Sequence, residues 1–473
     1  MKKILSTITI IVLLAALLFY RTNIREREVV ILSTNDIHAN IGLFPQLVTA
    51  VECCRDSVAT LLVDAGDRWT GNVYIDLAEG RLPIIELMNE VGYDAATLGN
   101  HEFDKGAALL QGAIERANFP ILCANMRSNR EDMATPEAAT IITAKNGIKV
   151  AVAGVVTNFD GGHPEGSNEV YEGLVFSHPF EAAEDAFGSS KGGDIRLLLS
   201  HMGDDKDVEF ATTTECCDII IGGHTHNVVD TVVNNIVIGQ TGRKLKHIGA
   251  TKIRMKGRNI LSVEYQNIPL AGYAQDSATL AKVAQIESNP QLKVPVGALS
   301  GDITHTGFAN MLTKALVQAT DTQIGFYHYG GIRLANHPAG EIELATIYNL
   351  EPFESKMHTI TMTPAQMRTM IIAKFNDTVN AKESHRVDLF CSTPYQIVVD
   401  SRGEAVDIIF PKLQKGRKYS VVMSDYIGKK YPSIEGENHT TQNILVTDAL
   451  LELLKKQSVT PVDNKSYQTI TKR

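Results

Sequence analysis

The residues of this chain that could carry out chemistry are aspartates, asparagines and histidines gathered in five short clusters. The clusters are Asn35-Asp36-Ile37-His38, Gly66-Asp67, Gly99-Asn100-His101-Glu102-Phe103-Asp104, Ser200-His201 and Gly222-Gly223-His224-Thr225-His226. Carboxylate and amide oxygens mixed with imidazole nitrogens suit Zn, Mn, Fe, Co or Ni rather than Ca alone. One such cluster could be an ordinary turn, but five together predict a metal site.

The donors in these clusters are too many for a single tetrahedral ion. They are Asp36, His38, Asp67, Asn100, His201, His224 and His226. Such a set suits two divalent ions that lie about 3.5–4 Å apart and share a carboxylate, as in two-metal hydrolases. The D-x-H and H-x-H spacings predict that each pair of side chains points the same way, because side chains alternate along an extended strand.

The elements that position these clusters are predicted by short apolar runs, which read as buried strands. The runs cover residues 29–32, 60–63, 149–153, 195–199 and 218–221. Helix-length segments separate them, which predicts a layered α/β domain. Most of the runs end directly in the polar clusters, and α/β proteins usually build their sites at the carboxyl ends of strands.

In their order along the chain, the clusters resemble the motifs of the calcineurin-like metallophosphatase fold, and specifically of the 5′-nucleotidase family. The segment Asn118-Phe119-Pro120-Ile121-Leu122-Cys123-Ala124-Asn125 is similar to a further motif of that family. The resemblance is strong over residues 29–268. It implies an N-terminal β-sandwich flanked by helices, with a dinuclear site at the strand ends, and a separate C-terminal α/β substrate-binding domain.

The resemblance also implies how the ligands divide between two ions, with Asp67 bridging. The ligands of one ion would be Asp36, His38, Asp67 and His226, and those of the other Asp67, Asn100, His201 and His224. His101 and Asp104 would be catalytic: the imidazole stabilises charge on the phosphoryl group or the leaving oxygen, and the carboxylate fixes its tautomer. The nucleophile would be a metal-activated water. For Asp104, a helix N-cap is the alternative.

The C-terminal half resembles the family's substrate-binding domain less closely. The matching segments are Gly330-Gly331-Ile332-Arg333, Pro352-Phe353 and Asp425-Tyr426-Ile427-Gly428. The resemblance implies that Arg333 binds the substrate, since an Arg fork suits phosphate or carboxylate. It implies that Phe353 and Tyr426 sandwich a nucleobase. The alternatives are core packing for the two aromatic residues and a surface ion pair for Arg333.

The same half departs from the family pattern at several positions. Glu354-Ser355 stands where Gly-Asn is usual, Lys429-Lys430-Tyr431-Pro432 replaces G-G-D-G, and Tyr329 replaces an Asn. The segment 302–310 lacks the expected Arg and Glu and keeps only Asn310. These departures leave the metal ligands untouched, so hydrolysis is more strongly indicated than specificity for nucleotides.

Length and composition bound the fold and the partners. The chain has 473 residues, of which 44% are hydrophobic and 21% charged, which is typical of a folded protein. Its net charge of −9 argues against a nucleic-acid polymer as partner. We expect a catalytic domain over residues 28–268, a helical linker over 269–298 that includes an exposed helix, and a substrate-binding domain over 299–473.

The first residues predict export. Lys2 and Lys3 precede an apolar run over residues 4–20, and arginines follow it. This pattern is typical of a signal peptide, with a retained membrane anchor as the alternative, so residues 1–24 are assigned to one or the other. The location would be periplasmic or otherwise extracytoplasmic. The six cysteines show no C-x-x-C spacing and are interpreted as buried small residues with at most one bridge.

The sequence therefore predicts an exported, two-metal phosphoesterase that hydrolyses nucleoside 5′-monophosphates or related nucleotides, in nucleotide catabolism and in scavenging of phosphate and nucleosides. The same chemistry on cyclic nucleotides, nucleotide sugars or non-nucleotide phosphoesters is the first alternative. A surface binding protein without catalysis is the second. The partner in the leading interpretation is a small phosphoester, with membrane attachment only if the N-terminal segment is retained.

Overall fold

The computed structural model of the chain describes residues 25–159, 161–166, 168–189, 192–376, 386–430, 439–457 and 459–473. The chain forms two compact units that divide between Ser288 and Asn289. The predicted export segment, residues 1–24, lies outside the described residues. Within the described ranges, no helix has both the length and the apolar composition needed to cross a membrane.

The strands of the N-terminal unit contain the runs that the sequence predicts as buried strands. These strands are β1 (Glu26–Thr34), β2 (Ala59–Asp64), β3 (Ala95–Thr97), β4 (Ile121–Leu122), β5 (Met126–Ser128), β6 (Ala139–Thr143), β7 (Lys149–Val156), β8 (Leu174–Phe176), β9 (Ile195–His201), β10 (Ile219–Gly222), β11 (Val228–Val233), β12 (Ile236–Thr241), β13 (His247–Lys256) and β14 (Asn259–Pro269). One six-stranded sheet has the order β14-β13-β1-β2-β3-β4 and another the order β11-β12-β10-β9-β7-β6, while β5 pairs with β8.

The two six-stranded sheets pack face to face around an apolar core. Ile31 and Val63 of the first sheet belong to the same buried cluster as Val152, Leu199 and Ile221 of the second. Strands β1, β2 and β3 run parallel, as do β7, β9 and β10. The predicted β-sandwich is thereby confirmed, and the carboxyl ends of strands from both sheets meet at one edge.

Helices cover the outer faces of the sandwich. The helices of this unit are α1 (Phe44–Ser57), α2 (Val73–Asp76), α3 (Leu82–Val91), α4 (Ala107–Arg116), α5 (Pro179–Ser189), α6 (Asp204–Thr213) and α7 (Ser277–Ile286). Apolar side chains of α1, α3 and α4 pack on the sheet that contains β1. Those of α5 and α6 pack on the sheet that contains β9. The layered α/β arrangement predicted from the sequence is confirmed.

Helix α7 lies in the segment that the sequence predicts as an exposed linker helix. Asp276 caps its N-terminus, since its carboxylate accepts a hydrogen bond from the Thr279 backbone N–H at 2.7 Å. Val283 is only 5% exposed and belongs to the core that α1 also lines. The predicted exposed helix is confirmed over six of its ten residues, and only Thr279 and Val283 are buried against the N-terminal unit.

The C-terminal unit is also a mixed α/β structure. Its strands are β15 (Pro295–Leu299), β16 (Ile303–Thr304), β17 (Ile324–His328), β18 (Asn336–His337), β19 (Gly340–Glu343), β20 (Lys356–Met362), β21 (Leu389–Cys391), β22 (Tyr395–Val399), β23 (Ala405–Ile409), β24 (Tyr419–Ser424), β25 (His439–Leu445) and β26 (Gln468–Lys472). Its helices are α8 (His305–Thr320), α9 (Leu344–Leu350), α10 (Pro364–Phe375), α11 (Asp425–Lys430) and α12 (Val446–Lys455). The largest sheet has the order β21-β17-β24-β20-β25.

The six cysteines are all described and all have free thiols. Cys123, Cys217 and Cys391 are buried, as expected for small residues in a core. Cys53 on α1 is exposed, so the prediction of burial is wrong there, because α1 packs through its other face.

Candidate metal centre

The predicted ligands lie together at the edge of the sandwich where the parallel strands end. Asp36 and His38 follow β1, Asp67 follows β2, Asn100 follows β3, and His201 is the last residue of β9. These five side chains are buried, with exposed fractions between 0% and 6%. His224 and His226 follow β10 and are half-buried. The structure thus brings residues that lie up to 190 positions apart in sequence, from Asp36 to His226, to one edge.

The geometric reason given for the paired ligands is wrong. The strands end before both pairs, and the backbone of Asp36 and His38 has positive φ angles of 48° and 49°. His224 and His226 likewise have φ angles of 83° and 60°. Non-glycine residues rarely adopt this left-handed conformation, and such strain tends to cluster at functional sites. The ligands converge because tight loops turn them inward, and not because a strand alternates its side chains.

Four of the donors form one compact group. The ligand atoms of Asp36, His38, Asp67 and His226 all lie within 4.8 Å of one another. The Nε2 atoms of His38 and His226 are 2.8 Å apart, and His226 Nε2 is 3.4 Å from Asp36 Oδ1. His38 Nδ1 is 3.1 Å from the Thr70 carbonyl oxygen. That contact assigns the proton to Nδ1 and directs Nε2 to the centre of the group.

The other donors form contacts around Asp67. His201 Nε2 lies 3.2 Å from Asp67 Oδ2, and the same oxygen is 3.9 Å from His38 Nε2. Asn100 Oδ1 lies 3.2 Å from His224 Nδ1. Asp67 is therefore the member of the compact group that also contacts His201.

Buried polar atoms support a metal at this position. His201 donates through Nδ1 to the Ala65 carbonyl at 2.6 Å, while its buried Nε2 has no well-directed hydrogen bond to any described residue. Buried polar atoms normally have a partner. An imidazole nitrogen facing a carboxylate oxygen is a donor set that zinc and related divalent ions accept. The residues present therefore fit a divalent metal, and seven donors fit two ions.

Burial perturbs the carboxylates of this centre. Burial raises the pKa of Asp36 to about 7, which the charge of Asp67 reinforces and that of His201 opposes. Burial alone would also raise the pKa of Asp67, but His201, His101 and His38 outweigh it and hold the pKa well below its usual range. Asp67 is therefore the carboxylate that stays ionised when the site holds no cation.

Glycines allow the strand ends to approach each other. A Cβ built on Gly99 would lie under 3.0 Å from atoms of both Asp67 and His201. A Cβ on Gly66, where φ is +90°, would lie under 3.0 Å from Gly99 N and His201 Nδ1. Any side chain at these two positions would displace the ligands, so their glycines belong to the architecture of the site.

The sequence reasoning missed the residue that holds the ligand loops together, which is Glu102. Its buried carboxylate accepts hydrogen bonds from the backbone N–H groups of Asp67 at 2.9 Å, Arg68 at 2.9 Å and Gly99 at 2.5 Å. Arg68 is fully buried and pairs with Glu102 at 3.7 Å and with Asp64 at 3.2 Å. Glu102 lies inside the G-N-H-E-F-D cluster, and this position was the one feature of the sequence that could have indicated its role.

His101 and Asp104 form a hydrogen-bonded pair beside the ligands. His101 Nδ1 lies 2.8 Å from Asp104 Oδ2, and the ring of His101 packs edge-on to that of His38 with centroids 5.3 Å apart. Burial would raise the pKa of Asp104, but the charge and hydrogen bond of His101 and a bond from Thr70 hold it below its usual value. The helix that follows is capped by Gly106, so Asp104 is not its N-cap.

The predicted substrate-binding residues lie in the C-terminal unit and are all half-buried. Arg333 follows a short turn of 3₁₀ helix, and its guanidinium carbon lies 5.5 Å from the centre of the Phe353 ring. Tyr426 on α11 belongs to a different contact, since its ring lies 4.7 Å from that of His328. Tyr426 also packs against the apolar core that contains Met423 and Ile427, as the core-packing alternative for this residue expects.

Metal removal is expected to destabilise the N-terminal unit. A ligand present at about 100 times its Kd stabilises the folded state by about 2.7 kcal/mol. For a unit of this size that corresponds to a fall in Tm of about 5 °C when the metal is stripped with a chelator. Differential scanning calorimetry of stripped protein, refilled with Zn or Mn, measures the effect. If the refilled protein has the same Tm as the stripped protein, and elemental analysis finds no bound metal after refilling, the assignment is contradicted.

Comparison with known proteins adds two family profiles and several relatives. The profile "Calcineurin-like phosphoesterase" matches residues 29–228, and "5'-nucleotidase, C-terminal domain" matches residues 283–433. Protein UshA of Yersinia enterocolitica is 26% identical over 525 residues, covering 93% of this chain and 93% of UshA. The trifunctional nucleotide phosphoesterase protein YfkN of Bacillus subtilis is 26% identical over 401 residues, covering 72% of this chain.

The extent of these matches differs between relatives. The chain spans only 27% of the length of YfkN. Among solved structures, a 5′-nucleotidase precursor from Thermus thermophilus superposes with a TM-score of 0.79 at 18% identity, over 94% of this chain and 99% of that chain. At this identity the superposition shows a shared fold. The two family profiles cover the N-terminal ligands up to His226 and the three C-terminal candidates.

Proposed function

Because the chain belongs to the 5′-nucleotidase family of metal-dependent phosphoric ester hydrolases, we propose that it hydrolyses nucleoside 5′-monophosphates or related nucleotides. The observation that carries the proposal is the position of Asp67, which faces both His38 and His201. One carboxylate facing two sets of donors is what a pair of ions acting on one phosphoryl group requires. The reaction would serve nucleotide catabolism and the recovery of nucleosides and phosphate.

The ligands Asp36, His38, Asp67 and His226 would hold one ion, and Asp67, Asn100, His201 and His224 the other. When bound, the ions supply the positive charge that attracts a phosphate dianion and activates the attacking water. This charge matters because the chain itself is acidic, with a net charge of −9. The buried carboxylates alone would repel the substrate.

His101 and Asp104 would supply the proton chemistry. Asp104 accepts from Nδ1 of His101, so Nε2 is the nitrogen that can donate to a phosphoryl or leaving oxygen. Because Asp104 is held ionised, it stabilises the charged imidazolium and keeps the ring in one orientation. A proton donated to the leaving alkoxide is worth about 10²–10⁴-fold in rate for a general acid.

The predicted substrate-binding domain, residues 299–473 of the C-terminal unit, would select the substrate. Arg333 has a cationic fork suited to a phosphate or carboxylate, and Phe353 and Tyr426 offer aromatic faces suited to a base. In the described structure one face of Tyr426 packs against His328, and the Arg333 guanidinium lies over Phe353. We propose that each ring receives the base on its other face.

Replacing Phe353 or Tyr426 with alanine is expected to raise KM for a nucleotide about 5- to 150-fold, because base–aromatic stacking contributes about 1–3 kcal/mol. Turnover of p-nitrophenyl phosphate, which has no base, should stay unchanged. Steady-state kinetics on both esters measure the difference. The matched control is Tyr467→Ala, because that aromatic residue bonds to Asp463 and lies outside the motifs. Unchanged nucleotide kinetics in both variants would contradict the base sandwich.

A second substrate class is supported by the departures from the family pattern in the C-terminal half. Glu354-Ser355 and Tyr329 replace residues that would offer amide contacts, and the segment 302–310 lacks the usual cation. These losses favour cyclic nucleotides, nucleotide sugars or non-nucleotide phosphoesters as alternative substrates. The metal chemistry would be the same.

We also propose that the protein acts outside the cytoplasm. The support is the charged start and apolar run over residues 2–20, which is typical of an export signal or anchor. Cell fractionation followed by mass spectrometry of the N-terminus tests both possibilities. Cytoplasmic protein that retains Met1 would contradict export.

The direct test of the proposed function is phosphate release from a panel of esters by stripped protein refilled with Mn or Zn. We expect metal-dependent release that is fastest from nucleoside 5′-monophosphates. Release from only cyclic or generic esters would move the assignment to the alternative substrates. No release with any metal would overturn the hydrolase assignment in favour of a binding role.

A further inference from the structure

Thr70 contacts both the His101–Asp104 pair and the metal-ligand group that contains His38. No sequence motif indicated this residue. It follows Asp67 in the loop after β2, is 1% exposed, and has a positive φ of 67°. A β-branched residue is a genuine outlier in this conformation, and glycine or asparagine would adopt it at lower cost. A threonine here indicates that its hydroxyl has a use.

The hydroxyl of Thr70 contacts the carboxylate that orients His101. It donates to Asp104 Oδ2 at 2.5 Å, and the same oxygen accepts from His101 Nδ1 at 2.8 Å. The hydroxyl also accepts from Arg81 Nη2 at 3.1 Å. Because arginine can only donate and an ionised carboxylate can only accept, the threonine proton is directed to Asp104. The hydroxyl therefore fixes the rotamer of that carboxylate.

The carbonyl of the same residue contacts a metal ligand. His38 Nδ1 lies 3.1 Å from Thr70 O, which assigns the Nδ1 proton and points Nε2 at the ligand group. Asp76 and Arg81 in turn hold Thr70 in position. Asp76 accepts from the backbone N–H of Thr70 at 3.1 Å and pairs with Arg81 at 2.6 Å.

We infer that Thr70 is a positioning residue that fixes the His101–Asp104 pair relative to the metal ligand His38. The inference rests on the proposed function and adds the residue on which the geometry of the proton donor depends. The side chain serves His101 and the backbone serves His38, so the two roles can be separated by a change that removes only the hydroxyl.

Thr70→Val removes the hydroxyl, keeps the β-branched shape and keeps the carbonyl. We expect kcat on a nucleotide to fall about 10- to 100-fold, the usual cost of losing a partner that orients an active-site group. KM and metal content should be unchanged, and Thr70→Ser should recover most of the rate. The fall should be smaller on p-nitrophenyl phosphate, whose leaving group needs little protonation. Thr251→Val is the matched control, since that threonine is also fully buried and its hydroxyl bonds to no described residue.

A double-mutant cycle with His101→Ala tests whether Thr70 acts through His101. If it does, Thr70→Val has little further effect once His101 is absent. A full additional loss in that background, or loss of metal from Thr70→Val alone, would reduce Thr70 to a structural role and overturn the inference.

A measurement without turnover separates this inference from the proposed function. In metal-free protein labelled with ¹⁵N-histidine, NMR should show that Thr70→Val shifts the Nδ1 proton resonance of His101 and leaves that of His38 in place. If the wild type hydrolyses no ester, this spectrum still decides the role of Thr70. An unchanged His101 resonance would overturn it.

Discussion

Replacing Asp67 with alanine is expected to lower metal-dependent phosphate release by at least about 1,000-fold. Asp67 Oδ2 faces His38 Nε2 at 3.9 Å and His201 Nε2 at 3.2 Å, and Oδ1 accepts from the His101 backbone N–H at 2.9 Å. Its loss removes one ligand from each ion and the anchor of the loop that carries His101. Elemental analysis should show that both metals are depleted.

The control for this variant is Asp132→Ala. Asp132 is a surface residue whose partner is Arg130 at 2.7 Å, so its removal tests for the general effect of losing an aspartate. It should keep full metal content and activity. Retention of two ions per chain by Asp67→Ala would contradict the assignment of Asp67 as the shared ligand, even if activity were lost.

The sequence was sufficient to predict five of the fourteen described strands of the N-terminal unit, namely β1, β2, β7, β9 and β10. Runs such as residues 29–32 and 195–199 are rich in branched apolar residues, and a strand buried on both faces selects for such a run. The structure confirms them within β1 and β9. The order of the ligand clusters was also the basis of the resemblance to the family, and that resemblance implied the β-sandwich.

The local geometry of the site could not be predicted from spacing. Asp36 and His38 were expected on an extended strand, whereas both have positive φ. The turn depends on contacts with distant residues: Asp36 N donates to Gly66 O at 2.9 Å and His38 N to Asp67 O at 3.0 Å. Such pairings across neighbouring loops leave no local pattern in the sequence.

The supporting residues were missed for the same reason. Glu102 accepts from backbone N–H groups of another loop, while Thr70 contacts Asp104 through its hydroxyl and His38 through its carbonyl. These partners are distant in sequence, so no local spacing indicates them. In the C-terminal unit, the rings of His328 and Tyr426 are in contact although the two residues are 98 positions apart in sequence. Only the fold brings such residues together.

Replacing His101 with asparagine is expected to lower kcat on a nucleoside 5′-monophosphate about 10²–10⁴-fold while both metals remain bound. Nε2 of His101 is the proposed proton donor, and Asp104 at 2.8 Å holds the ring through Nδ1. An asparagine cannot protonate a leaving alkoxide, whose high basicity makes the proton necessary. The loss should therefore be much smaller on p-nitrophenyl phosphate, because its leaving group departs as a stable anion.

Comparison with Asp104→Asn distinguishes proton donation by His101 from simple packing. This variant keeps the shape of the side chain but removes the charge that stabilises the imidazolium. Its fall in kcat should therefore depend on the leaving group in the same way, and should be smaller than that of His101→Asn. His178→Asn, at an exposed histidine outside the centre, should behave as wild type. Equal losses on the alkyl and aryl esters in His101→Asn would contradict proton donation, because a residue that merely packs beside His38 would slow both esters alike.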